Sequence, residues 1–298
     1  MQKKIVNIVS NLRISSDYTA AYINQLLALK QENYQLGKII LVCDDTLSSN
    51  QVANWAEIDS RVILIQEEKA DGAVVTLEEK TLQWASLCNQ GIDKSILHSS
   101  DYTLFLEADL TIPFDLVDEL VSANLDICAP VIFLGAGFYD SWGFRDLNGN
   151  KIFSLQGLNV FYKPVELSSV GSCVLFKTDV FNHGIRFRGP YQTGLLVGVC
   201  NDARLFGYNV WMLPHLSIVH PTSAWRNQTW RIIEIEFDHP LFAGKIDCSL
   251  MVSGAYQEFV EIEVRKFIEQ IKEFSGFNVT IYFVKNERSR TLLVKIKD

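Results

Sequence analysis

The sequence contains no CxxC pair, no glycine-rich GxGxxG or GxxxxGK[ST] loop and no surplus of positive charge. No apolar run approaches the about 20 residues needed to cross a bilayer. Without the glycine loops, dinucleotide-dehydrogenase and P-loop readings lose their main support. The balance of 27 Lys+Arg against 35 Asp+Glu gives −8 and a pI near 5.2, the wrong sign for holding nucleic acid by phosphate neutralisation alone. The start, MQKKIVNIVSNLR, enters a strand-like pattern without a signal-peptide core, so the expectation is a cytoplasmic protein with no membrane span. Cys43, Cys88, Cys128, Cys173, Cys200 and Cys248 sit mostly in apolar stretches and read as reduced core thiols.

Hydrophobic residues at 48% and charged ones at 21% describe an ordinary globular core. A chain of 298 residues suits one large α/β domain with a small appendage. In the first half, apolar strand-length runs at 5–9, 39–43, 62–65, 102–106 and 127–133 alternate with helix-period segments at 18–31, 50–58, 77–97 and 114–123. That alternation predicts a mostly parallel central sheet flanked by helices, with ligands beyond the carboxyl ends of the strands. From Gly135 to Arg188 the pattern gives way to Gly, Asn, Asp and aromatic residues, as functional loops do. Two strands are then predicted, GSCVLFKTDVF and VWMLPHLSIVH, with a helix-like piece near 199–206 between them. Past Pro240 the spacing predicts a helix over 256–274, and FNVTIYFVK and TLLVKIKD flank the turn NERSR as a hairpin. The expected division is therefore 1–240 as the main domain and 241–298 as a small α+β appendage.

The sharpest chemical signal is DYTLFLEADLTIPFDLVDELV, an apolar strand delivering Glu107 and Asp109. Carboxylates two residues apart point the same way on an extended chain and can share a Mg²⁺ or Mn²⁺ ion, to which a diphosphate adds ligands. After the second predicted strand, Asp44 and Asp45 can accept bonds from a nucleobase N–H or a ribose hydroxyl, or cap the next helix. Asn11 and Arg13, after the first strand, can face a base and a diphosphate. The loop with Tyr139, Asp140, Trp142, Arg145 and Asp146 offers a flat ring for a sugar face and groups for its hydroxyls; core aromatics with a surface ion pair are the plain alternative. Arg226 can meet a diphosphate or sit on a helix face.

In order and content these pieces resemble the nucleotide-sugar-dependent glycosyltransferases of the GT-A fold, over about the first 230 residues. KTLQWASLCNQGI resembles the helix that carries an Arg-Asn pair beside the donor in that family, with Asn89 matching and Cys88 standing where Arg is usual. FYDSWGFRDLNG and GVCNDARLFGY are similar to segments of the fungal capsule-associated α-mannosyltransferases, and family 2-like enzymes share the general layout. The resemblance implies that Asp109 binds the metal directly, Glu107 binds through water or the donor ribose, and His220 closes the set. It places Leu195 and Leu196 where inverting relatives carry a base, leaving Asp202 as the nearest carboxylate. Retaining transfer needs no dedicated protein base, and the resemblance leans that way.

The reading is thus a metal-dependent glycosyltransferase using Mn²⁺ or Mg²⁺ and a GDP- or UDP-sugar donor. Asp202, Asp140 and Asp146 are the candidate catalytic carboxylates, and Asn11, Arg13, Asp44, Asp45, Asn89, Glu107, Trp142, Arg145 and Arg226 the donor-binding set. The acceptor is a glycan or another hydroxyl compound; the acidic balance disfavours a nucleic-acid acceptor without excluding it. Two rivals stand beside it. One is a noncatalytic carbohydrate- or partner-binding module on the same fold. The other is a sugar-phosphate nucleotidyltransferase, which would want a glycine-rich basic loop where SNLRISSD stands.

Overall fold

The computed structural model of the chain describes residues 3–12, 16–43, 46–67, 77–134, 137–138, 143–152, 163–188, 194–220, 229–238, 244–246, 250–253, 280–286 and 291–297. They fall into two compact units, Met1–Thr222 and Ser223–Asp298.

The first unit begins with β1 (Lys4–Leu12), α1 (Ser16–Leu27), β2 (Tyr34–Cys43), α2 (Thr46–Ile58) and β3 (Val62–Gln66). It continues through α3 (Leu77–Leu97), β4 (Tyr102–Leu106), α4 (Leu116–Ser122), β5 (Ile127–Leu134), β6 (Gly137–Phe138) and β7 (Val165–Leu167). It closes with β8 (Cys173–Lys177), α5 (Asp179–Asn182), α6 (Leu195–Leu205) and β9 (Val210–Val219). The Val, Ile and Leu runs become strands because residues such as Ile8, Val9, Ile40, Leu41, Leu104 and Leu106 are buried with helices packed over the sheet.

These strands make a 9-stranded sheet in the order β3-β2-β1-β4-β8-β5-β9-β7, with β6 added to β5. The strands from β3 to β4 pair in parallel. β8 enters antiparallel to both β4 and β5, so β5 runs in the direction of β4. β9 is parallel to β5, and β7 runs antiparallel on the edge. The ends of β1, β2, β4, β5 and β9 therefore lie along one side of the sheet, the side on which ligands of open α/β sheets bind.

Cys43, Cys88, Cys128, Cys173 and Cys200 are buried free thiols, as the composition suggested. Burial pushes Cys128 and Cys200 up to about 12, which keeps them protonated and unreactive. Among the described residues no helix is long and apolar enough to cross a membrane.

The second unit contains β10 (Thr229–Asp238), β11 (Gly244–Ile246), β12 (Leu250–Ser253), β13 (Thr280–Asn286) and β14 (Thr291–Lys297). They form a 5-stranded sheet in the order β11-β10-β14-β13, with β12 on β10. The predicted hairpin is the antiparallel pair β13 and β14. β10 was not anticipated: it precedes residue 240, yet it pairs with β11, β12 and β14 of the second sheet. The helix expected over 256–274 lies outside the described residues, as does Cys248.

Candidate functional site

The acidic triplet stands where β4 stops. Beyond Leu106 the chain turns at once, the Leu110 N–H donating to Glu107 C=O at 3.3 Å. The extended backbone on which two such carboxylates would share a direction ends at Leu106. The Cys173 thiol on β8 is pushed up by burial, with Cys128 and then Glu107 adding to the effect. The Tyr22 hydroxyl on α1 is pushed up by burial, and the Asp109 charge adds to that.

Asp109 meets His220. The Asp109 Oδ2 is 3.2 Å from His220 Nε2, with His220 1% exposed and Asp109 15%. His220 is fixed there because β9 runs beside β5 and its own N–H donates to Phe133 C=O at 2.8 Å. The other oxygen, Asp109 Oδ1, is buried without a hydrogen-bond partner among the described residues. A buried carboxylate oxygen left in that state is costly unless a ligand completes it. Carboxylate and imidazole together fit a borderline divalent cation such as Mn²⁺. Among the described residues no group of three His, Cys, Asp or Glu side chains is close enough to hold a metal ion.

The turn holding Asp109 is braced from α1. Gln25 Nε2 donates to Leu110 C=O and Gln25 Oε1 accepts from the Ile112 N–H, both at 3.3 Å. Beneath the end of β1, Ser10 and Tyr22 share a buried hydroxyl bond of 2.5 Å. Asn11, one residue later, donates from Nδ2 to Cys88 Sγ at 3.0 Å, while its Oδ1 is buried without a partner among the described residues. The cysteine that replaces the resemblance's arginine is thus engaged with the residue expected to face the base.

Other expected site residues have local partners. Asn89, on α3, uses both ends of its amide on the backbone of Phe187. Asp202, on α6, has both oxygens bonded to the Arg188 guanidinium. Asp146 organises a turn: its Oδ1 accepts from the Asn148 and Asn150 N–H groups at 2.9 and 2.8 Å, and its Oδ2 from Asn150 Nδ2 at 3.0 Å. The Asn150 side chain, foremost among these bonds, holds the Asp146 carboxyl below its usual range. Arg145 bridges to Ser169 through its backbone N–H at 3.1 Å, and burial lowers its guanidinium pKa. Leu195 and Leu196 open α6 and pack against the core. Arg13, Asp44, Asp45, Tyr139, Asp140, Trp142 and Arg226 lie outside the described residues.

Sequence reasoning missed Arg188, Phe187 and Gln25. Arg188 follows a phenylalanine and precedes Gly-Pro, which marks a loop and no particular partner. Gln25 is one polar residue on an amphipathic helix, and its partners are backbone groups, which carry no sequence signal.

No protein-family model matches the chain. No curated protein matches it. Solved structures do. GalNAc-T7 with UDP, GalNAc and Mn²⁺ is similar with a TM-score of 0.52 at 12% identity, over 74% of this chain and 44% of that one. Mannosyltransferase PcManGT from Pyrobaculum calidifontis, in complex with GDP-Man and Mn²⁺, gives 0.48 at 14% identity, over 76% and 60%. S. aureus TarS 1-349 gives 0.46 at 11% identity, over 73% and 60%. The chain thus spans less than two thirds of the length of each of these structures, at 44%, 60% and 60%. What the likeness establishes, with the strand order above, is architecture: the first unit has the GT-A fold.

Proposed function

We propose that this chain is a metal-dependent glycosyltransferase that moves a sugar from a nucleoside-diphosphate donor to an acceptor hydroxyl. The observation that carries the proposal is the Asp109–His220 pair beyond the end of β4, with Asp109 Oδ1 buried and without a hydrogen-bond partner among the described residues. Asp109 and His220 would hold a Mn²⁺ or Mg²⁺ ion, and Glu107 would reach it through water or bind the donor ribose. When bound, such an ion offsets the negative charge that grows on the departing diphosphate. The GalNAc-T7 structure, which contains UDP, GalNAc and Mn²⁺, supports that assignment by analogy of fold.

Asn11 Oδ1 is an acceptor suited to a nucleobase N–H, because its own amide nitrogen is already spent on Cys88. Trp142 and Asp140 keep the sugar-face role read from the sequence. On the acceptor side, Asp202 is engaged by Arg188 and the start of α6 is apolar. A retaining reaction suits this arrangement. The bond from the anomeric carbon to the diphosphate oxygen breaks, the bond to the acceptor oxygen forms on the same face, and the acceptor proton passes to the departing phosphate oxygen.

Thermal shift and calorimetry with GDP, UDP, CDP and dTDP, each with and without Mn²⁺, test the proposal on the wild type and on Asp109→Ala. One nucleotide should stabilise the wild type only when Mn²⁺ is present, by about 2.7 kcal/mol at a hundred times its Kd, and not the variant. Binding by none of the four would make the chain a noncatalytic module on this fold.

A further inference from the structure

Residues 185–188 form a strap between two helices of the first unit. From α3, Asn89 Nδ2 donates to Phe187 C=O at 2.9 Å while Asn89 Oδ1 accepts from the Phe187 N–H at 2.8 Å. One helical turn further, on the same face of α3, Asp93 accepts from the Arg186 guanidinium, from Nε at 2.9 Å and Nη2 at 2.8 Å. Arg186 Nη1 also donates to Phe181 C=O at 2.7 Å and Ile185 C=O at 2.8 Å. The Phe187 ring, 2% exposed, lies 4.8 Å from that of Phe105 on β4, the strand that delivers Asp109. The next residue, Arg188, is 70% exposed in its side chain and bonds both oxygens of Asp202 on α6.

An amide is suited to this task. It presents one acceptor and a donor to a peptide unit in the way a neighbouring strand would, whereas a carboxylate would repel Phe187 C=O. Both polar atoms of the Asn89 side chain are bonded to Phe187. Its neighbour Cys88 meets Asn11 at the end of β1, so consecutive residues of α3 touch the donor side and the strap.

We infer that Asn89 is a positioning residue: it locks residues 185–188 onto the path that brings Arg188 to Asp202, and so shapes the acceptor side of the site from α3. The effect on turnover rests on the glycosyltransferase reading; the strap itself does not.

The test uses the full chain as wild type, Asn89→Ala and Arg188→Met, and the double variant. It reads amide hydrogen exchange, calorimetric Kd for the nucleotide that binds with Mn²⁺, and release of that nucleotide from its sugar donor with water as acceptor. In Asn89→Ala the Phe187 amide should exchange about tenfold faster, and kcat for donor hydrolysis should fall about tenfold with Kd changed by less than about twofold. Because Asn89 acts through Arg188, the double variant should be no slower than the worse single one. A Kd raised about tenfold with Phe187 exchange unchanged would make Asn89 a donor ligand and overturn the inference, as would additive losses in kcat. If Asn89→Ala does not fold, Asn89→Asp keeps the acceptor and loses the donor, and is held to the same outcomes. If the wild type binds no nucleotide, the transferase reading fails, and Phe187 exchange alone decides whether Asn89 holds the strap.

Discussion

Asp59 and Arg61 show how much a single carboxylate can contribute outside the site. Asp59 Oδ1 accepts from the Arg61 N–H at 2.9 Å and from Nε at 3.0 Å, and Asp59 Oδ2 from Nη2 at 2.6 Å. The Arg61 guanidinium bond, foremost, holds the Asp59 carboxyl down to about 2, although partial burial opposes it. A carboxyl depressed in the folded state adds stability that is complete above its unfolded pKa, near 3.9, and is lost as pH falls through the folded value. Asp59→Asn should therefore lower Tm at pH 6 and leave it nearly unchanged at pH 2. Thermal melts of both proteins from pH 2 to 6 read this directly, and parallel curves would refute it. At the candidate site, what was legible depends on side-chain type: Asp109 and His220, both named from the sequence, stand 3.2 Å apart in the fold. The contacts of Asn89 and Asp146 were not legible, because they are made to backbone groups and, for Asp146, also to the Asn150 side chain. Only the Asp146 turn left a trace, in the run DLNGN, where Asp and Gly at such spacing favour a side-chain-capped turn.

Elements were easiest to read where burial is symmetrical. β1, β2, β4 and β5 are covered on both faces, so their continuous Val, Ile and Leu runs stand out and the expected spans match within a few residues. β6 and β7 are too short to carry a period, and β11 and β12 likewise. The sheet also depends on how closely a helix approaches it. Gly91 lies on α3 against β1, and a Cβ there would fall 2.4 Å from Val9 Cγ1 and 3.3 Å from Val42 Cγ2. Neither valine has a flexible end to swing away, so one added methyl must lift α3 from the sheet. Gly91→Ala should cost about 1–3 kcal/mol, more than its gain in helix propensity returns. Urea denaturation should show a lower midpoint with an unchanged slope. A more stable variant would mean that α3 is free to shift. Because Cys88, Asn89 and Asp93 ride on the same helix, the approach of α3 also sets the contacts with Asn11 and the strap.

Across the whole molecule, the pairing of β10 decides where the chain divides. The sequence break at Pro240 is real as a change of pattern, but hydrogen bonding crosses it: Thr229–Asp238 pairs with β11 and β12 and in parallel with β14. Parallel pairing between β10 and β14 joins segments far apart in sequence, which local periodicity does not reveal. Both members of the proposed metal pair, Asp109 and His220, fall within Met1–Thr222. A fragment ending at Thr222 therefore keeps its sheet complete, whereas one ending at Pro240 carries β10 without any of its partners. An unpaired strand of this length is a template for association with other chains. The 1–222 fragment should be monodisperse and melt cooperatively, and it should bind nucleotide with Mn²⁺ as the full chain does. The 1–240 fragment should elute as higher oligomers in size-exclusion chromatography at equal concentration. If instead 1–222 aggregates and 1–240 is well behaved, β10 stabilises the first unit, and the two units do not fold independently at this boundary.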